Sequence, residues 1–173
     1  MRKKILIAIA PLIFIACNFL FPVTRQDASP TLTPPEPASG QAMSSFTIVR
    51  IHKQDGDLLT QLMGQAQIAK GLNQNLFIEF DATWCPPCQA IEASIKAKNA
   101  LTMKAFDGIY LVRADVDEWG WGDGKNFKFE AIPIYYKLDG SGRPTGAVVD
   151  GGAWNEDIPE NFAPVLDAFF HNQ

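Results

Sequence analysis

Cys85 and Cys88, three positions apart, are the residues of this chain whose type and spacing point most directly to chemistry. An apolar run of strand character, Leu76-Phe77-Ile78-Glu79-Phe80, leads into them, and Ile91 and Ile95 follow at helical spacing. A strand that turns into a helix here puts the first thiol at a helix N-terminus and the second one turn further in. Unpaired N–H groups and the positive end of the helix dipole favour a thiolate at that place, lowering a cysteine pKa into a range of about 3.5 to 7.5. The first sulfur is then both a nucleophile and a good leaving group, and the second can resolve a mixed disulfide. Pro86 and Pro87 fall where helical N–H groups lack partners anyway, so they stiffen the turn at little cost. They also remove two N–H donors, and no cation stands between the cysteines. The missing cation predicts less thiolate stabilisation, and weaker oxidising power, than in pairs that have one.

The elements that must hold this pair read as alternating strands and helices. Phe46-Thr47-Ile48-Val49-Arg50-Ile51 is rich in β-formers, and Asp57 is placed to cap a helix whose apolar positions are Leu58, Leu62, Ala66 and Ala69, ending near Gly71. A third strand is Ile109-Tyr110-Leu111-Val112, followed by a Gly- and Trp-rich loop over 117–125. Ile134-Tyr135-Tyr136-Lys137 and Ala147-Val148-Val149 form a hairpin about the turn Asp139-Gly140-Ser141-Gly142. The closing helix shows Phe162, Val165, Leu166 and Phe169 on one face, and an N-cap near Asn161 would leave Pro164 in the tolerated first turn. The order β-α-β-α-β-loop-β-β-α implies an α/β fold, a mixed central sheet flanked by helices.

With 173 residues, 47% hydrophobic and 20% charged, the chain has room for one globular domain and an appendage. Residues 46–173 carry eleven basic and seventeen acidic side chains, a net charge of -6 with no basic stripe, so nucleic acid is not an expected partner. Three cysteines are too few for a disulfide scaffold. Arg2, Lys3 and Lys4 precede an apolar run over 5–21, the pattern of an export signal, so 1–23 reads as a signal peptide, a lipoprotein signal or a membrane anchor. Left uncleaved, 5–23 would just span a bilayer despite Pro11 and Asn18, and the preceding positive charge would leave the bulk outside. Phe14-Ile15-Ala16-Cys17 resembles a bacterial lipoprotein signal with Cys17 as the lipidated residue, although Phe14 departs from the usual aliphatic; otherwise Cys17 is an apolar filler. Residues 24–45, with Pro30, Pro34, Pro35 and Pro37, read as an extended spacer at about 3.1 Å per residue. The globular unit is 46–173.

The segment Phe80-Asp81-Ala82-Thr83-Trp84-Cys85-Pro86-Pro87-Cys88 resembles the active-site segment of the thioredoxin family, and further matches extend over most of 46–170. The resemblance implies a thioredoxin-like fold and a redox disulfide between Cys85 and Cys88. It places Glu79 where the family has a buried acid that relays a proton to and from the second cysteine, and Arg113 where a lysine is common. Ile132-Pro133 matches a hydrophobic residue followed by a cis-proline that presents backbone to substrate, and Gly151 matches a glycine near the same surface. Trp84, Ile132, Pro133 and Gly151 would then shape a substrate groove. Membrane-tethered, extracytoplasmic members are the most similar in organisation. They imply protein thiols and disulfides as substrates, a membrane thiol carrier as electron donor and no organic cofactor. The expected activity is thiol-disulfide exchange in the reducing direction; the same site run as an oxidant or isomerase, or a copper-binding or interaction module on the same fold, are the alternatives. Pro-Pro replaces the usual Gly-Pro, and the Gly/Trp loop replaces much of the third helix.

Each residue also has a plainer reading. A zinc site needs two further ligands, and His52 and His171 lie near opposite ends of the domain; soft thiolates would suit Cu(I), but no third ligand is evident. Glu79 could face solvent from an edge, Pro133 could be trans, and Arg113 reads as a solvated strand residue. Trp119 and Trp121 either form a substrate rim, or one covers the core and the other is a loop residue. Asp115, Asp117, Glu118 and Asp123 lack the spacing of a calcium loop and read as solvated acids. No metal is expected.

Overall fold

The chain divides into Met1–Gly40 and Gln41–Gln173. The computed structural model describes residues 45–172, so the export segment, Cys17 and the spacer through residue 44 lie outside the described residues. Five strands form one sheet: β1 (Thr47–Arg50), β2 (Asn75–Asp81), β3 (Ile109–Asp115), β4 (Ile134–Leu138) and β5 (Pro144–Asp150). Their order is β1-β3-β2-β4-β5, with the first three parallel, β4 antiparallel to β2 and β5 antiparallel to β4. The helices are α1 (Leu58–Gly71), α2 (Pro86–Lys96), α3 (Ala100–Ala105), α4 (Val116–Trp119) and α5 (Pro159–His171).

Central strands covered on both faces must be apolar almost throughout, and β2 is buried from Leu76 to its end. The period of two sorts its side chains. Ile78 and Phe80 join Leu62, Ala66 and Ala69 of α1 in one cluster, whereas Phe77 joins Ile91 of α2, Phe106, and Leu166 and Phe170 of α5 in the other. Glu79 and Asp81 share the parity of Phe77, so they belong on the face that α2 and α5 cover. Full burial of Phe77 and Phe170, whose rings lie 4.8 Å apart, is worth roughly 2 kcal/mol for each side chain before the aromatic contact is added.

Local signals account for most boundaries. Asp57 caps α1 through Thr60 N–H at 3.0 Å, as expected. The two short helices were not anticipated: α3 starts where the Asn99 carboxamide accepts from Leu101 and Thr102 N–H, and α4 where Asp115 accepts from Asp117 N–H. Four to six residues are too few to display a helical period. The expected cap near Asn161 is corrected. Helix α5 begins three residues earlier, with Ile158 at the cap and Pro159 at N1, where the missing N–H costs nothing, so Pro164 sits in the helix interior.

Two long-range ties close the unit. Gly142 in the β4–β5 turn has φ 78°, and a Cβ there would lie 2.6 Å from the Leu62 backbone, so the turn presses on α1 as only glycine allows. We expect Gly142→Ala to cost about 2 kcal/mol or more in a urea unfolding curve, since it adds αL strain to a backbone clash. His171 at the end of α5 directs Nδ1 to the Asp167 carbonyl at 3.0 Å and Nε2 to the Asp107 carbonyl at 2.9 Å. Two acceptors for two ring nitrogens demand the doubly protonated ring. Burial opposes that charge, but these hydrogen bonds and the Asp167 carboxylate outweigh it and raise the pKa. A folded pKa above the unfolded value stabilises at pH below about 6.5, and the contribution is lost as pH rises through the folded value. His171→Gln is therefore expected to lower the unfolding midpoint more at pH 5.5 than at pH 8.5; an equal loss at both would rule out the charged ring.

Candidate active site

The site forms where β2 hands over to α2. Cys85 N–H bonds the Ala82 carbonyl at 3.2 Å, closing a turn, and Cys85 then occupies the N-cap of α2, its φ of -79° and ψ of 114° extended rather than helical. Pro86 and Pro87 fill N1 and N2, positions without helical N–H partners. Cys88 N–H donates to the Cys85 Sγ at 3.3 Å, so the sulfur takes the place of the oxygen that usually caps a helix. Cys85 and Cys88 are joined by a disulfide with Cα atoms 5.3 Å apart, and both are buried.

Three segments surround it. Trp84 is 53% exposed and its indole N–H donates to Asp117 of α4 at 2.8 Å. The Ile132-Pro133 peptide is cis, Ile132 packs against the apolar cluster that contains both cysteines, and Pro133 is buried. Gly151 N–H donates to the Pro133 carbonyl at 2.9 Å, and a Cβ on Gly151 would come within 3.2 Å of the Pro133 ring. The glycine thus lets the chain after β5 lie against the proline. The two loop tryptophans part company. Trp119 is half-buried, packs on the same cluster and donates to the Ile51 carbonyl at 3.1 Å, whereas Trp121 is 48% exposed with its ring 6.0 Å from Phe129. Asp123 is a structural acceptor. Partial burial opposes its charge, but the N–H groups of Phe127, Asn126 and Lys125 and the Asn126 amide hold its carboxyl down at about 2. His52 pairs with Glu118 at 3.1 Å, and among the described residues no three His, Cys, Asp or Glu side chains converge.

Beneath the disulfide lies a charged group that the sequence reading did not assemble. Arg50, Arg113, Glu79 and Tyr135 are register partners across β1, β3, β2 and β4. The reading of Arg113 as a solvated residue is corrected: it is 8% exposed, donating from Nε to Glu79 at 2.6 Å and from Nη1 to Glu92 of α2 at 2.5 Å. A guanidinium so largely withdrawn from water in a covered sheet must be paired. Glu79 is 1% exposed and also accepts from the Tyr135 hydroxyl at 2.6 Å. Burial pushes the Glu79 carboxyl up, Arg113 pulls it down, and the nearby Asp81 charge adds to the rise. Burial acts against the Arg113 charge, but Glu79 and Glu92 overcome it and keep the guanidinium protonated. Burial and the Glu79 charge hold the Tyr135 phenol well above its usual range, so it acts as a neutral donor. Asp81 is met bidentately by Arg50 at 2.8 and 2.6 Å.

Tyr135 and Glu92 were missed for different reasons. Tyr135 stands among β-formers and looks like core, and Glu92 looks like an ordinary exposed helix residue. The sign that could have found Glu92 is its place four residues after Cys88, on the same face of α2.

A buried disulfide at a helix N-terminus, flanked by a cis-proline loop on a mixed sheet, defines a thioredoxin-like redox protein. The thioredoxin family model matches residues 59–161, and the chain belongs to the thioredoxin family, whose members are thiol-disulfide oxidoreductases acting on protein thiols and disulfides. Thioredoxin H4 of Arabidopsis thaliana is 34% identical over 96 residues, covering 54% of this chain and 73% of that protein. Thioredoxin H2-1 of Oryza sativa subsp. japonica is 27% identical over 116 residues, covering 66% and 75%. Among solved structures, a disulphide isomerase from Xylella fastidiosa Temecula1 aligns with a TM-score of 0.45 at 18% identity, over 64% of this chain and 89% of that one.

Removing one partner of a buried pair strands the other charge. Arg113→Met is expected to destabilise the fold by about 3 kcal/mol in urea, and Glu79→Gln added to it should recover a good part of that loss. Additive losses in the double variant would mean that the two side chains do not act as a pair.

Proposed function

We propose that the chain reduces disulfides of proteins outside a membrane, to which residues 1–23 tether it through a lipid on Cys17 or an uncleaved apolar helix. The observation that carries the chemistry is the Cys85–Cys88 disulfide at the N-terminus of α2, with a backbone N–H on the Cys85 sulfur. In the reduced form the Cys85 thiolate attacks a target disulfide, an S–S bond forms between Cys85 and the target, and the other target sulfur leaves as a thiolate. Cys88 gives up its proton, its sulfur attacks Cys85, and the second target sulfur leaves. Two electrons have passed to the target, and Cys85–Cys88 is again a disulfide. Glu79 is the buried base for the Cys88 proton, and an extended segment of the target lies against Trp84, Ile132, Pro133 and Gly151, with Trp121 at the rim. A membrane thiol carrier restores the dithiol.

The reducing direction is supported by Pro86 and Pro87, which leave the Cys85 thiolate fewer N–H donors and no neighbouring cation. The location is supported by the charged and apolar start of the chain and by the proline-rich spacer. The potential of the pair decides the direction: equilibration with glutathione or dithiothreitol should give a value near about -270 mV or lower, while one near about -120 mV would make the protein an oxidant. In cells, Cys88→Ser should accumulate mixed disulfides with exported proteins that a membrane-impermeant thiol reagent can reach after reduction. Mixed disulfides confined to cytosolic proteins would overturn the location.

A further inference from the structure

A buried carboxylate beside a guanidinium of its own is held ionised, and a carboxylate held ionised cannot carry a proton. Glu79 escapes that situation because its guanidinium is shared. Arg113 gives Nε to Glu79 at 2.6 Å and Nη1 to Glu92 at 2.5 Å, so one cation stands between two carboxylates. With Glu79 protonated, Arg113 and Glu92 make a neutral pair; with Glu79 ionised, the one buried cation is divided between two carboxylates, and only the largely exposed Lys96 offsets the second. The remaining groups that face this centre do not supply a second cation to Glu79. The Asp81 carboxylate is matched by Arg50 of β1, Tyr135 of β4 gives a neutral hydroxyl, and Lys96 of α2 reaches Glu92 at 3.2 Å from a largely exposed position.

Glu92 is also placed where this matters. It lies one helical turn beyond Cys88 on α2, and Cys88, Glu92 and Arg113 line the same cavity of about 350 Å³ together with Arg50 and Asp81. That cavity opens to solvent and carries charges of both signs beside Cys88.

We propose that Glu92 is a positioning residue for thiol-disulfide exchange: it holds and neutralises the Arg113 guanidinium, which leaves Glu79 able to take up and release a proton. The proposal rests on the reading of Glu79 as the base for Cys88. As Cys88 attacks the mixed disulfide, its proton passes to the Glu79 carboxylate, the Cys88–Cys85 bond forms, and the target sulfur leaves with the electron pair. The proton then passes to the departing target thiolate.

The test uses the purified full-length chain and its Glu92→Gln, Glu92→Asp and Glu79→Gln variants. Glutamine keeps an oxygen for Arg113 Nη1 while removing the charge, so the fold is retained. Two readouts are taken against pH: the single-turnover rate at which a model disulfide peptide is released, and the carboxylic-acid band in reduced-minus-oxidised infrared spectra. Glu92→Gln is expected to move the midpoint of both downward by about one pH unit or more, because Arg113 then acts on Glu79 undivided. Glu92→Asp should restore most of the shift. A merely structural role would lower the rate evenly at every pH. An unmoved or upward-moved midpoint in Glu92→Gln, with the band abolished by Glu79→Gln, would overturn the role of Glu92 and leave that of Glu79 standing. A Glu79→Gln variant with the wild-type profile would overturn both.

Discussion

Arg113 has to be paired where it lies, and the rest of the site follows from that constraint. Its strand runs between β1 and β2, and its side chain points to the face covered by α2, α3 and α5. A slip of one residue in β3 would carry the guanidinium to the opposite face, among Phe80, Val112 and Tyr136, where no carboxylate waits. The ion pair therefore fixes the register of β3 against β2. It also ties α2 to the sheet, because Glu92 reaches down to the same guanidinium. One side chain thus sets both the strand that ends at the active-site turn and the helix that begins there.

Helix α2 links two chemical environments. Its N-terminus holds Cys85 with sulfur in place of a capping oxygen, inside an apolar cluster to which Ala82, Phe80 and Ile132 contribute. One turn on, Cys88 borders a cavity lined by charges of both signs. The first cysteine is set in an apolar cluster, and the second also borders the charged cavity. Trp84, held to Asp117, keeps an indole exposed beside the pair without exposing the sulfurs themselves.

Much of this was legible in the sequence, for reasons of periodicity and chain chemistry. Asp57 announces α1, the apolar run ending in Cys-Pro-Pro-Cys announces the strand-to-helix turn, and the resemblance marks Ile132-Pro133 as cis, which the structure contains. What stayed hidden depends on contacts between distant residues. Arg113 alone on a strand looks solvated; its burial becomes evident only when Glu79 and Glu92, 34 and 21 residues away, are brought to it. That one of Trp119 and Trp121 covers the core while the other stays in the loop is one of the two sequence expectations, but which of them does so depends on the bond from Trp119 to the Ile51 carbonyl. Helix α5 starts at Pro159 because a proline at N1 costs nothing, and the gain from seating Phe162 and Leu166 outweighs one hydrogen bond lost at Pro164.

The two prolines and the charged row divide the labour of exchange in a particular way. Pro86 and Pro87 remove N–H groups from the first turn, so Cys88 supplies the backbone donor that reaches the Cys85 sulfur. Such a site suits the proposed reducing direction, because a thiolate with few donors relieves an unfavourable charge when it gives its electrons to a disulfide. The weakness at the first sulfur then shifts the demand to the second, which must be deprotonated at the moment of attack while buried against an apolar cluster. A base for that step has to be desolvated enough to hold a proton yet not held permanently ionised by its counter-ion. Glu79 between Tyr135 and a shared Arg113 meets both conditions, which is why a helix residue as ordinary in sequence as Glu92 belongs to the same piece of chemistry as the sulfurs.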